Sequence, residues 1–368
     1  MKPGILIYAA GSSEWIGGVY YARNVLYQLS LNKRITDKYN LFAFTNETCK
    51  ASFEDLDKVK IIVSRGSEKI DLIKAILLHN IRYRYPGTKD IGMCKAVAWI
   101  PDFQQECLSD MFPAEEVEAR KLERASIVNK DLPLVLSSED ALGHFKQFYD
   151  AQKKNVYVVH FVSYIEPIIR SISTEAEEKV LKKYGLSGRK YVYVANQFWK
   201  HKNHIVVLNA IQKIAADTNL YFVFSGKLSD YRNPDYIEKL KQIMTELEEG
   251  GRIINLGFLD RTEQLIIMKN CEFLIQPSLF EGWGTVVEDA KVLDKHILLS
   301  DIPVHREQRN EKCRLFVPDD DEALAKIILE EEEKEHTSDV EQGILTMREQ
   351  ALAYSEAFER LLWEDTNH

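Results

Sequence analysis

Apolar and polar positions follow one repeating theme along this chain: a short apolar run, a turn, then a longer stretch with apolar residues every three or four positions. In the first half, residues 5–10, 41–45, 60–63, 96–100, 132–136 and 156–160 read as strands. The periodic stretches 19–31, 69–82, 115–129 and 139–149 read as helices, with Ser138 placed to cap the last of these. The second half continues with strands over 191–195, 221–224, 253–256, 273–275, 296–300 and 314–317, and helices over 174–184, 235–249, 262–269, 285–293, 322–333 and 343–363. Such alternation defines an α/β chain whose parallel sheets are covered by helices on both faces. Ligands of such sheets bind at the carboxyl ends of the strands.

At 368 residues the chain is long for one domain. The stretch 161–173, with Pro167, reads as a connection, which gives a first domain over 1–165 and a second over 166–345. Residues 346–368 are left as a terminal helical segment, with Ile344, Met347, Ala351, Tyr354, Phe358 and Leu361/Leu362 at helical spacing. Hydrophobic residues make up 45% of the chain, enough for two cores. The net charge of −9 sits in the second half, since residues 1–165 hold 22 Lys/Arg against 20 Asp/Glu. An acidic half of that kind argues against nucleic acid as the partner. No run approaches 18 apolar residues, and Met1–Tyr8 enters a strand without the apolar core of a signal peptide, so a cytoplasmic protein is expected. Five scattered cysteines with no C-x-x-C fit reduced structural thiols. No His/carboxylate cluster at ligand spacing stands out in the sequence, so no metal is expected.

The densest chemistry lies in Gln276-Pro277-Ser278-Leu279-Phe280-Glu281-Gly282-Trp283-Gly284-Thr285-Val286-Val287-Glu288. A strand runs through a loop with two glycines into a helix, whose first amides and positive dipole end suit a phosphate. Glu281 and Glu288 flank those amides and could bond sugar hydroxyls. Taken separately, they could equally be a solvated loop acid and a helix-surface charge.

This segment closely resembles the Glu-x7-Glu signature of retaining glycosyltransferases of family 4. The resemblance implies the GT-B fold, in which two Rossmann-like parallel-sheet domains face a cleft and a C-terminal helix crosses back to the first domain. It makes the first domain acceptor-binding and the second nucleotide-sugar-binding. By the same resemblance, Glu281 contacts donor sugar hydroxyls, Glu288 the ribose, and the backbone around Gly282, Gly284 and Thr285 the diphosphate. Residues 191–204 resemble the family's diphosphate-binding segment. Lys202 holds the lysine position there, while the usual arginine falls near the neutral Asn196, leaving Lys200 and Lys227 as candidates for the missing charge. Asn255–Asp260 resembles the loop whose backbone frames the nucleobase, which brings in Phe258.

In the first half, Gly17 and Gly18 resemble the paired glycines that relatives place beside donor phosphates and acceptor. The spacing from Gly11 is wrong for a dinucleotide-binding G-x-G-x-x-G, so nicotinamide chemistry is disfavoured. Asp102 follows a strand where the family commonly has His-Asp; Pro101 replaces the histidine, so only Asp102 carries over, and a plain turn residue explains it too. Residues 69–85, with Ile70, Ile73, Ile76, Leu77 and Ile81 among Lys69, Lys74, Arg82 and Arg84, read as an amphipathic helix with basic ends. Such a helix could lie on anionic lipid at the inner membrane face, although packing on its own sheet explains the same pattern.

The expectation is therefore a retaining, metal-independent glycosyltransferase without a cofactor. It would move a hexose from a UDP- or GDP-sugar donor to a glycan or lipid-linked acceptor in polysaccharide or lipopolysaccharide assembly. Glu281, Lys202 and Asp102 would act at the reacting centre. The alternatives are a nucleotide-sugar epimerase of the same fold and a non-catalytic nucleotide-sugar-binding partner.

Overall fold

In β9 (Tyr191–Ala195) every residue is buried, as expected of a strand covered on both faces. The structure, a computed structural model, describes residues 2–9, 16–149 and 152–364. The chain divides into two units. One comprises Met1–Glu106, Glu115–Tyr164 and Thr346–His368; the other comprises Cys107–Ala114 and Ile165–Leu345.

The first unit holds a five-stranded parallel sheet in the order β3-β2-β1-β4-β5, made of β1 (Gly4–Tyr8), β2 (Asn40–Asn46), β3 (Val59–Ser64), β4 (Ile81–Tyr85) and β5 (Lys95–Ala96). A separate parallel sheet comprises β6 (Ala98–Ile100), β7 (Leu134–Leu136) and β8 (Val156–Val158). Strand β4 corrects the expected helix over 69–85. The helix is Glu68–Leu78, and Asn80, in the left-handed region at φ 53°, turns the chain into a strand paired with β1. Alternate side chains Ile81, Tyr83 and Tyr85 are buried, and Arg84 is buried too, donating to the Lys89 carbonyl. Arg82 and Arg84 thus belong to a strand rather than to a basic helix end.

On the helix Glu68–Leu78, Leu72, Ala75 and Ile76 face the core, whereas Ile70, Ile73, Leu77 and Leu78 are exposed. In the same unit, the later part of the 25-residue helix Val340–Glu364 is fixed by Glu359, which accepts from Asn32 and Arg34, and by Tyr83, which donates to the Leu362 carbonyl. Its Met347, Ala351, Phe358, Leu361 and Leu362 are buried.

The second unit holds one six-stranded parallel sheet in the order β11-β10-β9-β12-β13-β14. Its further strands are β10 (Tyr221–Ser225), β11 (Ile253–Asn255), β12 (Phe273–Gln276), β13 (His296–Ser300) and β14 (Cys313–Phe316). Val192, Val194, Phe222, Phe224, Phe273, Ile275 and Leu298 pack with helix residues such as Val207, Ile211, Leu240 and Met244. Each such burial contributes about 1.5–3 kcal/mol. Strand order reverses between β9 and β12, so a crevice opens at their carboxyl ends. The loop after β10 is drawn tightly over the end of β9: Gly226 has φ +141°, and a Cβ there would lie 2.1 Å from the Asn196 carbonyl oxygen.

Candidate active site

The ends of β9 and β12 deliver two neutral amides side by side. Asn196, where the sequence suggested a missing arginine, is buried and donates to Gln276 Oε1 at 2.8 Å. Gln276 donates in turn to Glu281 Oε1 at 2.8 Å and to Ser278 Oγ at 3.1 Å. Ser278 Oγ also donates to Glu281 Oε1, at 2.7 Å. Lys202 completes the cluster, its Nζ lying 2.6 Å from the same oxygen. Three donors therefore converge on Glu281 Oε1.

Glu281 and Lys202 side chains are only 10% and 14% exposed, which rules out a freely solvated loop acid and a freely solvated helix-start lysine. Burial on its own pushes the Glu281 carboxyl up. The Lys202 ammonium, with help from His305 and the Ser278 hydroxyl, overcomes this and holds the group down at about 2.

Local backbone explains how Lys202 arrives there. Lys200–Lys202 forms a single 3₁₀ turn, and Asn203 at φ 54° redirects the chain into the helix His204–Ile214. The His201 carbonyl accepts from the Leu279 amide at 2.8 Å, tying this turn to the loop after β12. Burial pushes the His201 imidazole down to about 3, with Lys202 acting in the same direction, so it packs as a neutral ring.

Gly284 is the N-cap of the helix Thr285–Val292, and the first amides of that helix have no intrahelical acceptor. Its own groups differ from expectation, because Gln308 engages both: the Gly284 amide donates to Gln308 Oε1 at 3.2 Å, and Gln308 Nε2 donates to the Gly284 carbonyl at 2.8 Å. The amides of Thr285 and Val286 are thus the better phosphate donors. Gln308 Nε2 also reaches Glu288 Oε1 at 2.8 Å, and Lys291 reaches that oxygen at 2.9 Å. Glu288 is 1% exposed, so it is an internal, partnered carboxylate and not a helix-surface charge. Arg261 forms a two-pronged pair with the buried Asp289 and locks this helix to the helix Arg261–Asn270.

Phe258, 68% exposed, stands beyond β11 next to Gly257, whose carbonyl accepts from the Gly226 amide. Asp230, whose Oδ2 accepts from the Lys200 amide at 3.1 Å, also holds a cation that the sequence reading does not name. Arg232 pairs with the buried Asp230 at 2.9 Å and lies over the Phe112 and Trp199 rings. Phe112 belongs to the Cys107–Ala114 segment, and this packing, with the Asn233 bond to the Met111 carbonyl, explains why that segment goes with the second unit.

The remaining candidates lie in the first unit. Gly17 and Gly18 sit in the first turn of the helix Ile16–Leu31, Gly17 exposed and Gly18 buried, and not in a loop; residues 10–15 before them lie outside the described residues. Asp102 accepts from the Gln104 amide at 3.1 Å and lies 3.7 Å from Arg124, which is the geometry of a turn residue. The sequence reading assigns no role to the side chains of Gln276, Ser278, His305 or Gln308, which the fold brings to the site. His305 is buried, bonds the Ser300 hydroxyl and carbonyl through Nδ1, and is pushed down by burial.

Two Rossmann-like units, the second with a strand–loop–helix segment at its switch point, are the architecture of the GT-B fold. Residues 176–357 match the family described as Glycosyl transferases group 1. It is 26% identical over 134 residues to the O-antigen chain mannosyltransferase RfbU of Salmonella typhimurium, a match spanning 36% of this chain and 36% of that protein's length. Among solved structures, Alr3699/HepE of Anabaena, in complex with UDP and glucose, superposes with a TM-score of 0.66 at 15% identity, over 100% of both chains. WaaG, a glycosyltransferase involved in lipopolysaccharide biosynthesis, does so with 0.58 at 10% identity, over 96% of this chain and 95% of that one. At these identities the two structures show the fold.

Proposed function

We propose that this chain transfers a hexose from a UDP- or GDP-linked donor to an acceptor hydroxyl with retention of anomeric configuration, in the assembly of a cell-surface polysaccharide or lipopolysaccharide. The observation that carries the reading is the convergence of Lys202, Gln276 and Ser278 on Glu281 beside the first turn of the helix Thr285–Val292. The mannosyltransferase name of the Salmonella relative and the UDP and glucose of the Anabaena complex support the donor class.

In this reading the Thr285 and Val286 amides and the Lys202 ammonium take the diphosphate. They stabilise the negative charge that grows on it as the glycosidic bond breaks. Lys202 then exchanges part of its contact with Glu281 for phosphate, and Glu281 turns acceptor capacity toward the sugar hydroxyls. Glu288 holds the ribose. Protein cations and amides supply the charge stabilisation, so the reaction is metal-independent and needs no cofactor. The leaving phosphate takes the acceptor proton on the same face, which yields retention.

A peripheral contact with anionic lipid at the inner leaflet fits the exposed Ile70, Ile73 and Leu77, which Lys69 and Lys74 flank on the helix Glu68–Leu78. No described helix is long and apolar enough to cross a membrane.

The test is nucleotide release from UDP- and GDP-sugars with and without glycan acceptors, followed by NMR of the product anomer. Acceptor-dependent release with retained configuration is expected. Release that ignores the acceptor would favour an epimerase, and no release would favour a binding partner.

A further inference from the structure

At the amino ends of β12 and β13, one strand length from the loop that holds Glu281, the second unit gathers three groups that the donor site does not use. His296 opens β13, Glu331 lies near the end of the helix Asp321–Glu332, and His336 lies in the segment that leads to the final helix. His296 Nε2 is 3.1 Å from Glu331 Oε2, and His336 Nε2 is 3.6 Å from the same oxygen. The two imidazoles stack with centroids 4.6 Å apart, and one ligand atom from each of the three residues falls within 4.8 Å of the others.

Glu331 is 1% exposed, and both its Oε2 and the facing His296 Nε2 are buried without a hydrogen bond. A lone pair on His296 Nε2 facing a carboxylate oxygen costs stability unless a proton or a metal cation lies between them. Tetrahedral zinc with bonds near 2.0–2.2 Å spaces its ligand atoms by roughly 3.3–3.6 Å, close to the two His–Glu331 separations.

We propose that His296, Glu331 and His336 form a structural binding site for a divalent transition-metal ion of the zinc class. The other Glu331 oxygen, Oε1, is held by Arg314 Nη1 at 2.6 Å and Lys334 Nζ at 2.7 Å, an outer shell that fixes the carboxylate. Glu330 pairs with Arg314 at 2.6 Å and offsets one of those two cations. His336 also contacts the Glu331 carbonyl at 3.0 Å, and a bound metal replaces that hydrogen bond. The Phe273 ring packs at steep angles against both imidazoles and keeps the site dry on that side. Such an ion clips β13 to the helix Asp321–Glu332 and to the start of the final segment. The grouping is not visible along the chain because 34 residues separate His296 from Glu331.

The experiment uses the full chain without an affinity tag, stripped with chelator and titrated with Zn²⁺ by calorimetry and with Co²⁺ by visible absorption. Expected are one equivalent per chain, the intense d–d absorption of tetrahedral Co²⁺, and a thermal midpoint raised by Zn²⁺. His296→Ala and His336→Gln should each weaken binding by at least about a hundredfold and abolish the absorption. His336→Gln lies outside the regular elements and keeps the test open if His296→Ala does not fold. Absence of saturable binding would overturn the proposal. So would equal binding by His336→Gln, which would place the metal on surface carboxylates.

Discussion

Replacing Glu281 with Gln removes the charge around which the loop after β12 is built, and its cost can be worked out. The carboxyl is held at about 2, against 4.5 for an ordinary glutamate, because Lys202 more than offsets the penalty of burial. That difference corresponds to roughly 3 kcal/mol of stability at neutral pH. The folded value is the lower one, so the contribution is complete above about pH 4.5 and is lost as pH falls from there toward about 2. Glu281→Gln should therefore be less stable than wild type by roughly 3 kcal/mol at pH 7 in urea unfolding, and the gap should narrow measurably by about pH 3.5. Lys202→Met should be costly alone and nearly free when added to Glu281→Gln, because the double variant no longer strands a charge, with a coupling above about 1 kcal/mol. Additive effects within about 0.5 kcal/mol, together with a gap that ignores pH, would refute the reasoning.

Glu288→Gln should weaken nucleoside diphosphate binding by about 1.5–3 kcal/mol, the worth of a charge-assisted hydrogen bond, and unchanged affinity in calorimetry would remove Glu288 from the site. Gly226→Ala forces a Cβ to within 2.1 Å of the Asn196 carbonyl at φ +141°. It should cost more than about 2 kcal/mol in denaturant unfolding, and a neutral result would mean that the loop after β10 moves freely. Ile73→Glu with Leu77→Glu should abolish co-sedimentation with phosphatidylglycerol vesicles while leaving the thermal midpoint unchanged, since both side chains are exposed. Equal sedimentation of variant and wild type would exclude this helix as the lipid contact.

What could be read in the sequence was local. The strand, the glycine loop and the helix around Glu281 announce themselves in consecutive residues, and the buried run of β9 is a continuous apolar block. Residues 81–85 misled because Ile70, Ile73, Leu77 and Ile81 keep helical spacing. What decides them is the left-handed turn at Asn80 and pairing with β1, a strand far away in sequence. Gln276 and Gln308 are neutral side chains with no periodic signature, and their roles appear only when β12 and the helix Pro303–Gln308 bring them beside Glu281 and Gly284. Asn196 looked like a lost charge. In the fold it is a buried hydrogen-bond donor to Gln276, while the added cation at that rim is Arg232, held by Asp230.

The donor site is tested most directly by calorimetric titration of UDP and GDP into wild type and Lys202→Ala. One of the two nucleotides should bind wild type at one site per chain, and Lys202→Ala should weaken it by at least about tenfold while leaving binding of the matching nucleoside unchanged. Equal affinity in the two proteins, or no binding of either nucleotide to wild type, would contradict a diphosphate site built on Lys202 and Glu281.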